Sequence, residues 1–254
     1  MQFVILGTGP GIPQLDKHLS SLYVKTEELA ILIDCGEGVS REILRRGLSG
    51  DHLDIIVITH YHPDHVSGLF MLMQMLYLEH RTKPLELYLP ECPEFIENAL
   101  RQMYTFKEKF KFPLSIRLID ELHRVHPGFD AMISDHLWGY RPQIESLGLS
   151  NQMKSWSIKV SENERSLLYS SDLSSVDSIA ALLPGTHTMI VDALHPSAAQ
   201  ILSLENLGMK RILLTHGVSE DLARELSSRT NGGNLVLSDK NIFIYATEGE
   251  SYEV

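Results

Sequence analysis

Apolar positions along the chain fall into short unbroken runs separated by polar turns, with helix-spaced apolar positions between several of them. Phe3-Val-Ile-Leu6 runs into the glycine-rich turn Gly7-Thr-Gly-Pro-Gly-Ile-Pro13 and reads as a strand with its turn. Tyr23-Val-Lys25 and Ala30-Ile-Leu-Ile-Asp34 read as two more strands, followed by a helix over about residues 40–46. Asp54-Ile-Ile-Val-Ile-Thr59 is a β-branched run without polar alternation, the pattern of a strand buried on both faces. Val66 to Arg81 predicts a helix that is apolar around most of its circumference. Leu85–Leu89 is a strand, Pro93–Phe106 a helix, and Leu114–Ile119 a strand with alternating polarity. Trp156–Val160 and Ser166–Tyr169 flank the turn Ser161–Glu164 as a hairpin. Met189–Asp192 is another buried strand, Ala198–Leu207 a helix and Arg211–Thr215 a strand, and 235–245 reads as terminal strands.

Buried strands thus alternate with helices in two halves. That alternation predicts an α/β (α+β) fold, a four-layer αββα sandwich with two facing mixed sheets and helices outside them. No linker-like break in composition interrupts residues 1–254, so the expectation is a single domain. One echo joins the halves: Ile55-Ile-Val-Ile-Thr-His60 and Arg211-Ile-Leu-Leu-Thr-His216 both end a buried strand in Thr-His. Related halves meeting at one edge would put both histidines in a shared cleft, where α/β ligands bind.

Composition narrows the function classes. The chain has 254 residues, 43% of them hydrophobic, which is enough for one well-packed domain and argues against disorder. Its formal net charge of −11 argues against broad duplex binding, which needs many Lys/Arg–phosphate contacts. Cys35 and Cys92 are too few for a disulfide framework and have no CxxC spacing, so a cytoplasmic, reducing setting is expected. The first residues lack a basic signal region, and the longest apolar stretch, Leu69 to Leu78, is too short to span a membrane.

The chemistry concentrates in histidine. Of the 12 present, three lie with an aspartate in His60-Tyr-His-Pro-Asp-His65, at the end of a buried strand. Imidazole and carboxylate are the donors that zinc and related divalent ions accept. On a tight loop His60 and His62 face one position while Asp64 and His65 turn toward a second, which suggests two adjacent ions. The competing reading is a surface loop with incidental histidines.

In these residues the sequence resembles the metallo-β-lactamase-fold hydrolases and, within them, the ribonuclease Z-like phosphodiesterases. Leu6-Gly-Thr-Gly-Pro-Gly11 with Pro13 is similar to that family's first strand and loop, and Leu32-Ile-Asp-Cys-Gly-Glu-Gly38 to its second signature. The His60–His65 loop is its hallmark. Asp135-His-Leu-Trp-Gly-Tyr140 resembles the segment of the third ligand histidine, Tyr169-Ser-Ser-Asp172 that of the bridging aspartate, and Leu213-Leu-Thr-His216 the last ligand segment. The resemblance implies the metallo-β-lactamase sandwich and two divalent ions, zinc (Zn2+) with manganese (Mn2+) as the alternative. One ion would be held by His60, His62 and His136, the other by Asp64, His65 and His216, with Asp172 between them.

It also implies a hydrolase whose nucleophile is a hydroxide bridging the metals, oriented by Asp64, and in which His195 assists the leaving oxygen. A locally bonded His195 flanking its helix is the other reading of that residue. The expected substrate is a small phosphodiester or nucleotide-like molecule. The alternatives are a tRNA 3′-end endonuclease acting on RNA, a thioester or lactone hydrolase, and a metal-binding protein without turnover. A homodimer is an expected assembly.

Four departures from the ribonuclease Z pattern stand out. Ser171 and Pro63 occupy positions that the family usually fills with glycine. His216 continues into Gly-Val-Ser-Glu-Asp221, and the basic arm that grips tRNA is not visible. Other candidates read as structural. The Gly7 turn lacks the third glycine of a dinucleotide fingerprint. Cys35 reads as a small buried residue, Met71, Met73 and Met75 as core or subunit interface, and Lys107, Lys109 and Lys111 as a solvated face.

Overall fold

Strand β1 (Gln2–Gly7) is the apolar N-terminal run, and it pairs antiparallel with β2 (Ser21–Lys25), which pairs antiparallel with β3 (Ala30–Ile33). From β3 onward the sheet becomes parallel. Helix α1 (Val39–Arg45) leads to β4 (Ile55–Val57), helix α2 (Pro63–Leu78) to β5 (Leu85–Leu89), and helix α3 (Pro93–Gln102) to β6 (Leu114–Leu118). Parallel neighbours require such crossovers, and their strands are buried on both faces, as the β4 run predicts. The C-terminal strand Ser251–Glu253 returns to the free edge of β1, closing a seven-stranded sheet among the described residues. In this computed structural model the described residues are 1–48, 50–229 and 243–254.

They form two compact units, the first made of Met1–Leu122 with Glu248–Glu253 and the second of His123–Thr247 with Val254. In the first unit α2 buries Val66, Leu69, Leu72, Met73 and Leu76, the i, i+3, i+4, i+7 spacing of a core-facing stripe. Met71 and Leu78 remain exposed, so α2 has a wet edge that the sequence reading did not give it. The helix also stops at Leu78, short of the expected Arg81. His80 takes a left-handed φ of 56°, and Arg81 turns inward to 1% exposure. There its guanidinium donates to the carbonyls of Gly50, of Leu53 at 2.5 Å, of Lys83 at 2.8 Å and of Pro84 at 2.7 Å, and it lies 5.6 Å from the Phe112 ring centre. Burial pushes its pKa down from the ordinary guanidinium range.

The second unit begins near helix α4 (Leu122–Val125) and continues with β7 (Phe129–Ser134) and helix α5 (Arg141–Leu147). β8 (Ser155–Glu162) and β9 (Arg165–Tyr169) make the expected hairpin, turning at Asn163, whose φ is 54°. Then come β10 (Thr188–Ala193), helix α6 (Ala198–Ser203), β11 (Arg211–Val218), helix α7 (Glu220–Arg229) and β12 (Phe243–Tyr245). The sheet order is β12-β11-β10-β9-β8-β7, parallel through β9–β12 and antiparallel at β7–β8–β9. The final strand of the chain is β13 (Ser251–Glu253), in the first sheet. Of the terminal strands expected over 235–245, residues 235–242 lie outside the described residues. Strand β7, helix α5 and helix α7 are additions to the sequence reading. α7 is built on the Ser219 hydroxyl, which accepts from the Leu222 amide at 3.3 Å, and on buried Leu222 and Leu226. The α6 helix ends in a turn of 3-10 helix over Leu204–Leu207 rather than running straight to Leu207.

Arg81→Met would strip donors from four carbonyls, those of Gly50 and Leu53 in buried bonds, while keeping the apolar stem. We expect a loss of about 3 kcal/mol or more, read by urea denaturation with unchanged m-value.

Candidate metal centre

The ends of the parallel strands carry the chemistry in both units. In the first unit the chain leaves β4 through Thr59 into His60, and His62 becomes the N-cap residue of α2. Pro63 occupies the first helical position, where a fixed φ is pre-organised and a missing N–H costs nothing. That explains how proline is accommodated here. Asp64 sits in the first turn, where the helix dipole favours a carboxylate.

The loop is packed hard against its neighbours. A side-chain carbon on Gly68 would lie 2.2 Å from the Gly36 carbonyl oxygen, and one on Gly36 would lie 2.6 Å from that of Asp64. Both glycines are required by close approach.

Four ligand-type residues therefore share one loop and helix start, with His60, Asp64 and His65 buried and His62 half-buried. The His60 ring centre is 4.8 Å from that of His62 and 4.1 Å from that of His65. His65 Nδ1 donates to Asp34 Oδ2 at 2.7 Å, and its Nε2 lies 3.5 Å from Asp64 Oδ2. Asp34 itself is fully buried and accepts from the Thr59 amide at 2.8 Å and from its hydroxyl at 2.9 Å. A carboxylate behind a ligand imidazole is the usual device for fixing its tautomer and ring direction. The sequence reading placed Asp34 only inside a family signature; its partners lie 25 and 31 residues away, so spacing alone does not expose its role. Cys35 beside it is buried with its thiol pKa pushed up by burial and then by Asp34, the opposite of a nucleophile.

In the second unit His136 opens a short 3-10 helix (His136–Tyr140) after β7, and Asp172 follows β9. Ser171 holds a φ of 51°, the left-handed conformation that glycine adopts most readily, which accounts for the family's preference at that position. The Ser134 and Ser155 hydroxyls donate to the Asp172 carbonyl at 2.8 and 3.3 Å and hold its backbone. Near the end of β11, His216 and Gly217 bulge out with φ of 63° and 86°, so that Asp192 of β10 aligns with Thr215 and Ala193 with Val218. His136 Nε2 and His216 Nε2 approach the same oxygen, Asp172 Oδ2, at 3.5 and 3.2 Å. Two imidazoles thus converge on one carboxylate oxygen.

His195 stands in the same half. Its ring centre is 5.0 Å from that of His136 and 5.4 Å from that of His216. Asp192 Oδ2 accepts from His195 Nδ1 at 2.7 Å, while Asp192 Oδ1 accepts from the amides of Leu194 and His195 at 2.9 and 3.2 Å. His195 is thus locally bonded and lies beside His136 and His216. The side chain keeps 36% exposure while Asp192 is buried.

The donor set of each unit, imidazole with carboxylate, fits divalent-metal binding. His60 with His62 and Asp64 with His65 are the candidate pairs of the first unit. His136 with Asp172 and His216 with Asp172 are those of the second, the ligand atoms of each pair lying within 4.8 Å.

A profile of the anti-Pycsar protein Apyc1 family matches residues 1–221. The chain belongs to that family. The Apyc1-type chain is also 34% identical over 124 residues to a ribonuclease Z of Prochlorococcus marinus subsp. pastoris (strain CCMP1986 / NIES-2087 / MED4), covering 48% of this chain and 39% of that one. It thus spans well under half the length of that curated relative. Human tRNase Z, short form, superposes with a TM-score of 0.72 at 19% identity, over 100% of this chain and 99% of that one. A diphosphatase of the PhnP family superposes at 0.68 and 19% identity, over 100% of this chain and 97% of that one. These likenesses bear out the expected metallo-β-lactamase fold, two mixed sheets flanked by helices, in an Apyc1-family chain.

Asp34→Asn keeps the shape but removes the charge behind His65. Metal affinity should fall by roughly 10- to 100-fold, measured by competition with a chromogenic chelator.

Proposed function

We propose that the chain is a dinuclear metal-dependent phosphodiesterase acting on small, nucleotide-like diesters. In this reading the two units are halves of one domain, 1–254, the first supplying four of the seven ligands and the second three. His60, His62 and His136 serve one ion, Asp64, His65 and His216 the other, and Asp172 bridges. When bound, the ions supply Lewis acidity, lowering the pKa of a water and drawing charge from the diester oxygens. Zinc is the ion we assign, with manganese as the alternative, on the strength of the His/Asp donor set.

The observation that carries the reaction type is the His195–Asp192 pair beside His136 and His216. With Nδ1 held by Asp192, His195 presents Nε2 as a proton donor, and the buried carboxylate stabilises the imidazolium. An alkoxide leaving group needs that proton; a thiolate does not. The pair therefore favours diester over thioester hydrolysis. Asp64, buried in the first turn of α2, would orient the attacking water by accepting its proton in a hydrogen bond.

A tRNA endonuclease is the second reading, favoured by the ribonuclease Z relatives. Against it stands surface charge. The net charge is −11, and in the modest basic cluster Lys107 pairs with Glu97 at 2.8 Å while Lys109 lies over Phe106. A folded RNA must be gripped through phosphates outside the active site, whereas a small diester needs no such grip. Among the described residues no helix is long and apolar enough to cross a membrane. A cytoplasmic setting belongs to the proposal, on the strength of the low cysteine content. A homodimer belongs to the proposal as well; the exposed Met71 and Leu78 on the edge of α2 support it.

Two measurements test this. At fixed salt and metal, kcat/KM for a small diester should exceed that for a 3′-extended tRNA; the reverse order, with cleavage at the discriminator end, restores the endonuclease. His195→Ala should retain its metal and slow cleavage by roughly 10²–10⁴-fold, with a smaller loss for a nitrophenolate leaving group. Equal losses for good and poor leaving groups would remove His195 from the acid role.

A further inference from the structure

The segment that follows His136 has an unusual surface. Trp138 is 56% exposed and Tyr140 49%, and helix α5 immediately after them buries none of its residues. A large exposed aromatic is the informative exception on a soluble surface, because its apolar area gains nothing from water. The backbone beneath it is not loose. Asp135 Oδ1 accepts from the amides of Ser174 and Ser175 at 2.9 and 3.1 Å, and the Trp138 amide donates back to the Asp135 carbonyl at 3.2 Å. The indole is thus mounted on a pinned turn, two residues beyond a candidate metal ligand. In a 3-10 turn two residues advance about 4 Å along the axis, less than the reach of a tryptophan side chain.

We propose that Trp138 is a specificity-determining residue that stacks on the nucleobase of a nucleotide diester whose phosphate lies against the His136 half-set. The inference rests on the phosphodiesterase reading and adds a recognition element to it. A metal pair and an acid at His195 act on any diester; they do not distinguish one that carries a base. An indole face does, since every base offers a π-surface and a rigid ring loses little conformational freedom on stacking. Because the ring contacts neither the reacting phosphorus nor the leaving oxygen, its contribution falls on binding.

The test compares two esters with the same leaving group, thymidine 5′-(4-nitrophenyl phosphate) and methyl 4-nitrophenyl phosphate. Stacking predicts that the wild-type preference for the thymidine ester falls roughly 5- to 150-fold in Trp138→Ala. The fall should lie in KM, and Trp138→Phe should largely restore it. A preference unchanged in Trp138→Ala, or not restored by Phe, overturns the proposal. The second readout needs no turnover. In the Trp156→Phe protein, Trp138 is the remaining tryptophan, and its fluorescence should be quenched saturably by thymidine 5′-monophosphate but not by deoxyribose 5-phosphate. Absence of that difference overturns the proposal. If the wild type cleaves neither ester, the phosphodiesterase reading fails, and the quenching titration still decides whether the ring binds a base. Sedimentation velocity covers the other occupant: a Trp138→Ala chain that loses a dimer present in the wild type places the ring in a subunit contact and rejects the stacking role.

Discussion

A carboxylate with no exposure to water must be surrounded by donors, and Asp34 collects them from three parts of the first unit. It sits just past the end of β3 with a φ of 62°, takes both donors of Thr59 after β4, and holds His65 in the first turn of α2. Strand end, strand end and helix start are tied at one point by hydrogen bonds to a charged acceptor, the stronger kind. The ligand loop is then stretched between two ends of this knot and backed by glycines that allow α2 to lie against residues 35 and 36. Its imidazoles are positioned before any ion arrives, so little ordering remains to be done when one binds.

The second unit repeats the device with different residues. Asp192 holds His195 by ring and backbone together, and Asp135 draws the amides of Ser174 and Ser175 toward the ligand turn. In each case a buried or half-buried aspartate orients a neighbour and leaves the outward atom of that neighbour for chemistry. The residues with left-handed backbone, Ser171, His216 and Gly217, cluster at this same set of strand ends. That is where departures from regular backbone are expected, because a regular strand only alternates its side chains between the two faces, whereas the shift at His216 brings its ring to Asp172.

Much of this was legible in the sequence because strands, ligands and turns are local. The run ending in Thr59 announces β4, and the density of imidazoles in the next six residues announces the loop. What escaped was non-local or lacked a period. Asp34 and Asp192 are ordinary strand-end aspartates until partners far along the chain, or a ring folded back, are seen. Helix α5 has no buried face, so no apolar stripe marks it. The end of α2 was set too late because Leu78-Glu-His-Arg81 holds no proline or glycine to mark a stop, whereas the guanidinium of Arg81 is needed inward by carbonyls that no pattern reveals. Ser171 shows the converse: a serine reads as a departure, yet the backbone keeps the conformation for which glycine is usually chosen.

The route of the chain has a consequence for its synthesis. Strand β13 lies beside β1, and Glu248 accepts from the Thr8 amide and the His18 amide, both at 2.9 Å. Strand β1 therefore leaves the ribosome long before the strand that completes its edge. During translation β1 offers an open row of backbone donors and acceptors, and the whole second unit is made in the interval. Nascent chains at that stage are the form most exposed to edge-to-edge pairing with one another. Slowing translation late in the message would lengthen that exposure, and a chaperone acting on this protein would find its work at the N-terminal strand.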